Sequence, residues 1–234
     1  MMSRLKILNG APVALLLAFA VAGPARAQGS ACACADLADL RNRYCEARAA
    51  IGEYARQIAK IRAQETKTGA PVMYTVARYA EHVQPCVQEA INQVTDANAN
   101  RPTADTNNAC IITYKGNPTA CLKQVLGAHE SVHVTVCQKW TNDRDKEGFF
   151  ASLRGLFTDF REGTTLVDLL NEERAAYQTE MNHVRDDLAR LSRSKPPCPG
   201  MPAEPPGPPR IPTIEPCPPP KPRPDAQDSS CKHR

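Results

Sequence analysis

Ten cysteines constrain the fold of this chain more than any other feature. All of them follow residue 27. They lie at positions 32, 34, 45, 86, 110, 121, 137, 198, 217 and 231. A dense, even set of cysteines is typical of disulfide frameworks in oxidising compartments. A cysteine zinc site is the competing interpretation, but the sequence contains no Cys-x-x-Cys pair. Three cysteines lie beyond residue 194, so complete pairing within the chain requires at least one bridge from the C-terminal segment to the body.

The first 27 residues have the features of a secretory signal peptide. Arg4 and Lys6 form a basic start, residues 11–22 are an apolar run, and Ala25-Arg26-Ala27 is a small-x-small cleavage site. The apolar run is short for a bilayer span, and no later segment is apolar enough for one. The sequence therefore predicts a secreted or periplasmic protein without a transmembrane segment.

The charge of the mature chain argues against nucleic-acid binding. The full sequence has 29 Lys and Arg residues against 25 Asp and Glu residues. Cleavage after Ala27 removes three of the basic residues and no acid, which leaves 26 against 25 and a net charge of about +1. A basic surface for nucleic acid is therefore not expected.

Apolar residues recur every three or four positions over much of the chain, which predicts a mainly α, disulfide-stapled helical domain. The pattern is clear over residues 36–65, where it favours a helix that packs on its own domain rather than a coiled-coil dimer. A second helical pattern covers residues 72–97, and Pro85 is expected to kink or divide it.

The middle of the chain predicts a short strand followed by a helix. Residues 98–109 are polar and turn-rich, and residues 110–114 form a strand-like β-branched run. Asn117 and Pro118 suit an N-cap and a first helical position, so a helix is predicted over residues 118–139.

Two more helices and a tail complete the predicted organisation. Helices are expected over residues 146–161 and 165–193, separated by a break at Gly163-Thr164. Fifteen of the 21 prolines lie in residues 195–234, which predicts an extended, disordered Pro-rich tail. The domains are then a signal peptide (1–27), a helical domain (28–194) and the tail (195–234).

The five residues His129-Glu130-Ser131-Val132-His133 indicate a metal site on the predicted helix 118–139. Histidines four apart project from one face of a helix and can bind one tetrahedral zinc, while the glutamate between them can activate a water. The apolar stripe of this helix contains His129 and borders His133, so both rings are expected at the edge of the core.

A catalytic zinc needs a third protein ligand, and three carboxylates are candidates. Asp168 comes one residue late for a Gly-Thr-x-x-Asp pattern, and Val136 and Lys139 exclude the extended motif that has Gly and His there. Glu173 lies near the centre of the apolar face of helix 165–193, whereas Glu172 lies about 100° away. A carboxylate on an apolar face is costly unless it is paired or metal-bound, which favours Glu173 over Glu172.

The motif helix and the helix after it resemble the gluzincin metallopeptidases over residues 110–180. Glu173, Ala176 and Tyr177 are similar to the Glu-x-x-Ala-Tyr of several small members, whereas Asn171-Glu172 is similar to the Asn-Glu of thermolysin-like enzymes. The resemblance implies a zincin-like active-site helix in which His129, His133 and Glu173 bind Zn²⁺. It further implies that Glu130 is the catalytic base and acid.

An oxyanion donor is also needed beside the metal, and Tyr177, one turn beyond Glu173, is the candidate. His183 and His82 are weaker candidates for a place in the site.

The sequence thus predicts a secreted zinc peptidase acting on a peptide or protein substrate, with the tail available for contact with the cell envelope. The alternative is a non-enzymatic, cysteine-rich helical protein with a structural metal site or an envelope-binding role.

Overall fold

The computed structural model describes residues 31–95, 101–146, 161, 163–194, 198–199, 217–219 and 231, and for 143–146 the backbone alone. The predicted signal peptide, the predicted helix 146–161 (apart from its first and last residues) and most of the predicted tail lie outside the described residues. Within them the fold is mainly helical, as the periodicity predicted. No described helix has both the length and the apolarity needed to cross a membrane.

Helix α1, Leu37–Thr68, is the central helix of the fold. It packs along α3, Gln84–Val94, and along α5, Leu166–Ser192. Its apolar stripe is the one seen in the sequence. The buried members of that stripe are Leu37, Leu40, Ala47, Tyr54, Ile58 and Ile61. Burial of these side chains within one chain confirms the prediction that this helix packs on its own domain.

The second helical pattern is divided, as Pro85 led us to expect. A short helix, α2 (Val76–Arg78), leads into a π-helical turn, Tyr79–Val83, and α3 then begins at Gln84. Proline has no N–H to donate and its ring crowds the preceding turn, so a regular α-helix cannot continue through this point. A widened turn accommodates the proline at the start of α3.

A two-stranded hairpin lies between α3 and the motif helix. Strand β1, Thr103–Thr106, pairs antiparallel with β2, Ile112–Lys115. The strand predicted at 110–114 is therefore present, shifted towards its C-terminal end. The prediction of an irregular segment over residues 98–109 was wrong for β1, because pairing with β2 stabilises a strand that has no apolar alternation of its own.

The motif helix, α4, extends over Ala120–Lys146. The prediction that it begins at Pro118 with Asn117 as its N-cap was wrong. Asn117 has a φ of 51°, and with Gly116 at 77° it forms the turn that leaves the hairpin. The Thr119 hydroxyl instead accepts a hydrogen bond from the Leu122 N–H at 3.2 Å and caps the helix.

Helix α5 begins where the Gly163-Thr164 break predicted. Gly163 has a φ of 94°, and the Thr165 hydroxyl accepts a hydrogen bond from the Asp168 N–H at 3.1 Å. The Thr165 hydroxyl also donates to the Asp168 carboxylate at 2.7 Å. Thr165 is therefore the N-cap and the exposed Asp168 bonds to it, which accounts for the near match to Gly-Thr-x-x-Asp without a metal.

All ten cysteines form disulfides, which confirms the prediction from their number. The pairs are Cys32–Cys121, Cys34–Cys198, Cys45–Cys217, Cys86–Cys231 and Cys110–Cys137. Each of the three cysteines of the predicted tail is bonded to the body, which exceeds the minimum of one such bridge. Five disulfides are typical of proteins in oxidising compartments outside the cytoplasm.

A disulfide and several side-chain contacts attach the hairpin to α4. The Cys110–Cys137 disulfide joins the loop before β2 to the helix one turn beyond His133. The Tyr114 hydroxyl donates to the Lys123 carbonyl at 3.3 Å. A Cβ at Gly127 would lie 3.1 Å from the same hydroxyl, so a small residue is needed where the hairpin crosses the helix. These contacts hold β1 beside the His-Glu-x-x-His motif.

Replacing Cys110 and Cys137 together by serine should destabilise the fold by about 3–4 kcal/mol, because the disulfide closes a loop with a sequence separation of 27 residues. The free energy of unfolding from urea titration followed by circular dichroism measures this loss. The double substitution leaves no free thiol to form a wrong pair. An unchanged midpoint and slope would mean that the disulfide does not restrain the hairpin.

Candidate metal centre

The two histidines of the motif lie as a metal pair on one face of α4. Both are buried, and their Nε2 atoms are 3.4 Å apart. Two ligand atoms of a tetrahedral zinc with Zn–N bonds of about 2.0–2.1 Å are separated by about 3.3–3.4 Å, because that is the edge of such a tetrahedron. The separation of the two Nε2 atoms therefore suits a shared metal.

The other nitrogen of each ring is bonded to a carboxylate. His129 Nδ1 lies 3.0 Å from Glu180 Oε2, and His133 Nδ1 lies 2.6 Å from Glu172 Oε1. An ionised carboxylate only accepts hydrogen bonds, so each Nδ1 is the donor, and the neutral form of each ring then has its lone pair on Nε2. Carboxylates in this position orient metal-binding histidines and raise their basicity. Both rings thus present their lone pairs to the same point.

Two further carboxylates border that point. Glu173 Oε2 lies 3.8 Å from His133 Nε2, and Glu173 is buried on α5 as its helical phase predicted. A Glu130 carboxylate oxygen lies within 4.8 Å of a ligand nitrogen of each histidine. Glu173 is outside this tightest group of three, so two carboxylates compete for the place of third ligand.

The partners of the two carboxylates separate their roles. The Thr106 hydroxyl of β1 donates to Glu130 Oε2 at 2.7 Å. The Arg161 guanidinium donates to Glu173 Oε1 at 2.9 Å and leaves Oε2 facing Nε2 of His133. Glu173 comes from the helix that faces the rings, as a closing ligand must, whereas Glu130 lies beside them on their own helix. This geometry favours Glu173 as ligand and Glu130 as base.

Glu172 occupies a different place from Glu173 although the two are adjacent. Its Oε1 contacts Nδ1 of His133, on the side of the ring away from His129. That oxygen cannot reach a metal held between the two Nε2 atoms. The structure thus places Glu172 behind the candidate ligand and Glu173 beside the site.

The electrostatics of the site favour a cation. Burial by itself lowers the pKa of His129, but the hydrogen bond to Glu180 and the negative charges of Glu180, Glu173 and Glu130 raise it, and the net pKa is raised. The same charges that hold a proton on the imidazole stabilise a metal in its place.

Tyr177 also lies at the site. Its ring meets the His129 ring edge-on with the centroids 4.5 Å apart. Burial first, and then the charges of Glu180 and Glu173, raise the pKa of Tyr177 well above its ordinary value, so its hydroxyl stays protonated. The weaker candidates lie elsewhere: the side chain of His82 is largely exposed, and His183 faces Asp187 with 3.6 Å between Nε2 and Oδ2.

The residues of the motif open onto a cleft of about 380 Å³. Residues of α1, the π-helical turn and α3 line the cleft together with residues of β1, α4 and α5. The N-terminal helices are therefore part of the site. The polar side chains that line the cleft and that the sequence did not mark as site residues are Tyr54, Tyr74, Tyr79, Gln84, Gln88, Asp105 and Arg161.

Among the residues missed from the sequence, Glu180 left a readable signal. It follows Glu173 by seven positions, which places both acids on the same buried face of α5. Because a buried carboxylate is costly unless it is paired, two acids on an apolar face predict two polar or charged partners on the elements that pack against it. Thr106 and Arg161 had no such signal, because each reaches the site through a contact between distant segments.

No protein-family model matches this sequence, and neither a curated protein nor a solved structure matches it. The chemistry of the site therefore follows from its contacts alone.

Proposed function

We propose that this protein is a zinc-dependent peptidase of an oxidising compartment outside the cytoplasm. The observation that supports this most directly is the pair of Nε2 atoms 3.4 Å apart, with each Nδ1 bonded to its own carboxylate. Such an arrangement prepares two lone pairs for one cation. The cleft beside it gives a substrate access.

In this proposal His129, His133 and Glu173 hold the metal. Zinc, when bound there, would polarise the scissile carbonyl and acidify a water. Glu172 and Glu180 fix the tautomer of the two rings, and Arg161 orients the Glu173 carboxylate. Four carboxylates of the site therefore divide into one ligand, one base and two supports.

Glu130 is the acid and base of the reaction. It accepts a proton from the attacking water and delivers it to the nitrogen of the leaving amine. The hydrogen bond from Thr106 occupies Oε2 and holds the carboxylate in place, which leaves Oε1 for the proton transfer. The Cys110–Cys137 disulfide keeps the hairpin that carries Thr106 against α4.

An extended peptide is the substrate that suits the cleft. Ala104 and Asp105 of β1 line it, and in the described residues β1 pairs with β2 on one side only. A second peptide strand can add to the other edge through backbone hydrogen bonds. This proposal assigns the substrate contact to β1.

Removal of metal should abolish hydrolysis. We expect the purified mature protein to cleave a mixture of unstructured peptides, to lose that activity after dialysis against a chelator, and to regain it with one equivalent of Zn²⁺. Mass spectrometry of the new termini measures the cleavage and reveals its specificity. Activity that survives complete removal of metal would contradict the proposal, and tightly bound zinc without any cleavage would support a structural metal site instead.

A further inference from the structure

Two tyrosines from separate elements meet in the wall of the cleft. Tyr54 lies near the middle of α1, and Tyr79 opens the π-helical turn. Their hydroxyl oxygens are 2.8 Å apart. Both residues line the cleft that contains His129 and His133, so the hydroxyl pair belongs to the same chamber as the candidate metal centre.

The irregular helix around Pro85 produces this contact. The N–H of Gln84 bonds to the Tyr79 carbonyl five residues earlier, which widens the turn. π-helical turns of this kind recur at functional sites, where they move a side chain out of regular helical phase. Here the turn brings the Tyr79 hydroxyl to that of Tyr54.

The hydroxyl pair has one more proton than its own hydrogen bond uses. Two neutral hydroxyls carry two protons, and a single bond between them takes one. Within the part of the chain that the structure describes, neither hydroxyl makes another hydrogen bond. The second proton is therefore available to an acceptor in the cleft.

Both hydroxyls remain protonated at neutral pH. Burial raises the pKa of Tyr54 and of Tyr79 above the ordinary range, and the negative charge of Glu173 raises both further. A neutral, preoriented donor in the same cleft as the candidate ligands suits an oxygen on which negative charge develops.

We propose that the Tyr54–Tyr79 hydroxyl pair donates the hydrogen bond that stabilises the oxygen of the scissile carbonyl. This inference rests on the proposed peptidase function and assigns the donor role to a pair that the sequence did not indicate. No proton is transferred. The hydroxyl donates a hydrogen bond to the substrate oxygen while that oxygen is negative, and this hydrogen bond is lost when the product leaves. Tyr177, whose ring packs on His129 and lies 5.9 Å from that of Tyr54, then acts as a positioning residue.

The test uses the full mature protein loaded with zinc, with Tyr54→Phe, Tyr79→Phe and the double substitution. For the double variant we expect kcat on the best cleaved peptide to fall by about 100-fold, as when one oxyanion donor is lost, with KM changed much less. A dipeptide phosphinate carries a tetrahedral anion, and its Kd from calorimetry should weaken by a similar factor. Zinc content should stay at one equivalent.

Tyr44→Phe is the matched control, because this tyrosine lies on α1 and packs against the apolar cluster that contains Leu40 and Leu188 instead of lining the cleft. Its kcat and phosphinate Kd should match those of the unsubstituted protein. Melting temperatures of all variants identify any loss of folding.

The outcomes separate the inference from the proposed function. An active parent protein whose double variant keeps both kcat and phosphinate affinity overturns the role of the hydroxyl pair and leaves the peptidase intact. An inactive parent overturns the peptidase. The phosphinate titration then still tests the donor role. If the parent protein does not bind the phosphinate, or if the parent and the double variant bind it equally, the donor role is overturned.

Discussion

Glu130→Gln should reduce kcat for peptide cleavage by about 10²–10⁴-fold while the protein retains its zinc. Glutamine keeps the size of the side chain and can still accept the Thr106 hydrogen bond, but it cannot take a proton from water. Steady-state kinetics on the peptide identified in the cleavage assay, together with metal analysis of the same sample, measure both parts of the expectation.

The matched control for this substitution is Glu81→Gln, because the side chain of Glu81 is largely exposed and lies outside the cleft. It should leave kcat unchanged. If Glu130→Gln retained most of the activity of the parent protein, Glu130 could not be the base, and its place beside the imidazoles would need another explanation.

Glu173→Ala should remove stoichiometric zinc from the purified protein. The substitution deletes the α5 carboxylate whose Oε2 lies 3.8 Å from His133 Nε2 and leaves two histidines, which are too few for a tight zinc site. It also removes the ion pair between Arg161 and Glu173, so the melting temperature should fall as well. Metal content by mass spectrometry and competition with a chelating dye measure the loss of affinity.

Two substitutions on the same helix grade the effect. Glu172→Gln should weaken zinc binding by about 10–100-fold, because it removes a carboxylate behind His133 rather than a ligand. Asp168→Asn should leave zinc binding unchanged, because the exposed Asp168 carboxylate bonds to the N-cap Thr165 and does not line the cleft. A protein that keeps full zinc affinity in Glu173→Ala and loses it in Glu172→Gln would reverse the two assignments.

The helices of this fold were predictable because their signals are local. Residues three and four apart share a face of a helix, so the stripe through Leu40, Tyr54 and Ile61 is visible in the sequence whatever lies against it. The start of α5 was equally local, since Gly163 and Thr165 define it through their own backbone and side chain. The strand β1 was missed because its signal is not local. Pairing with β2 stabilises it, and its own sequence has no apolar alternation.

The candidate site was also predictable only where its signals are local. Helical phase indicated that His129 and His133 share a face and that Glu173 is buried, and the structure places all three as expected. Phase could not show that Glu172 lies behind an imidazole, because that depends on the angle at which α4 and α5 pack. Helical phase favoured Glu173 over Glu172 as the ligand, and the packing angle between the two helices adds geometric support for that choice.

By itself the sequence determined the helices, the oxidised cysteines and the spacing of the metal-binding motif, all of which follow from short-range periodicity or from residue type. Only the tertiary structure decided which cysteines pair, that Thr106 and Arg161 hold the two central carboxylates, and that Tyr54 meets Tyr79. These contacts join residues separated by 12 to 172 positions along the chain. Their formation depends on how whole helices pack, and no local pattern of residues records that packing.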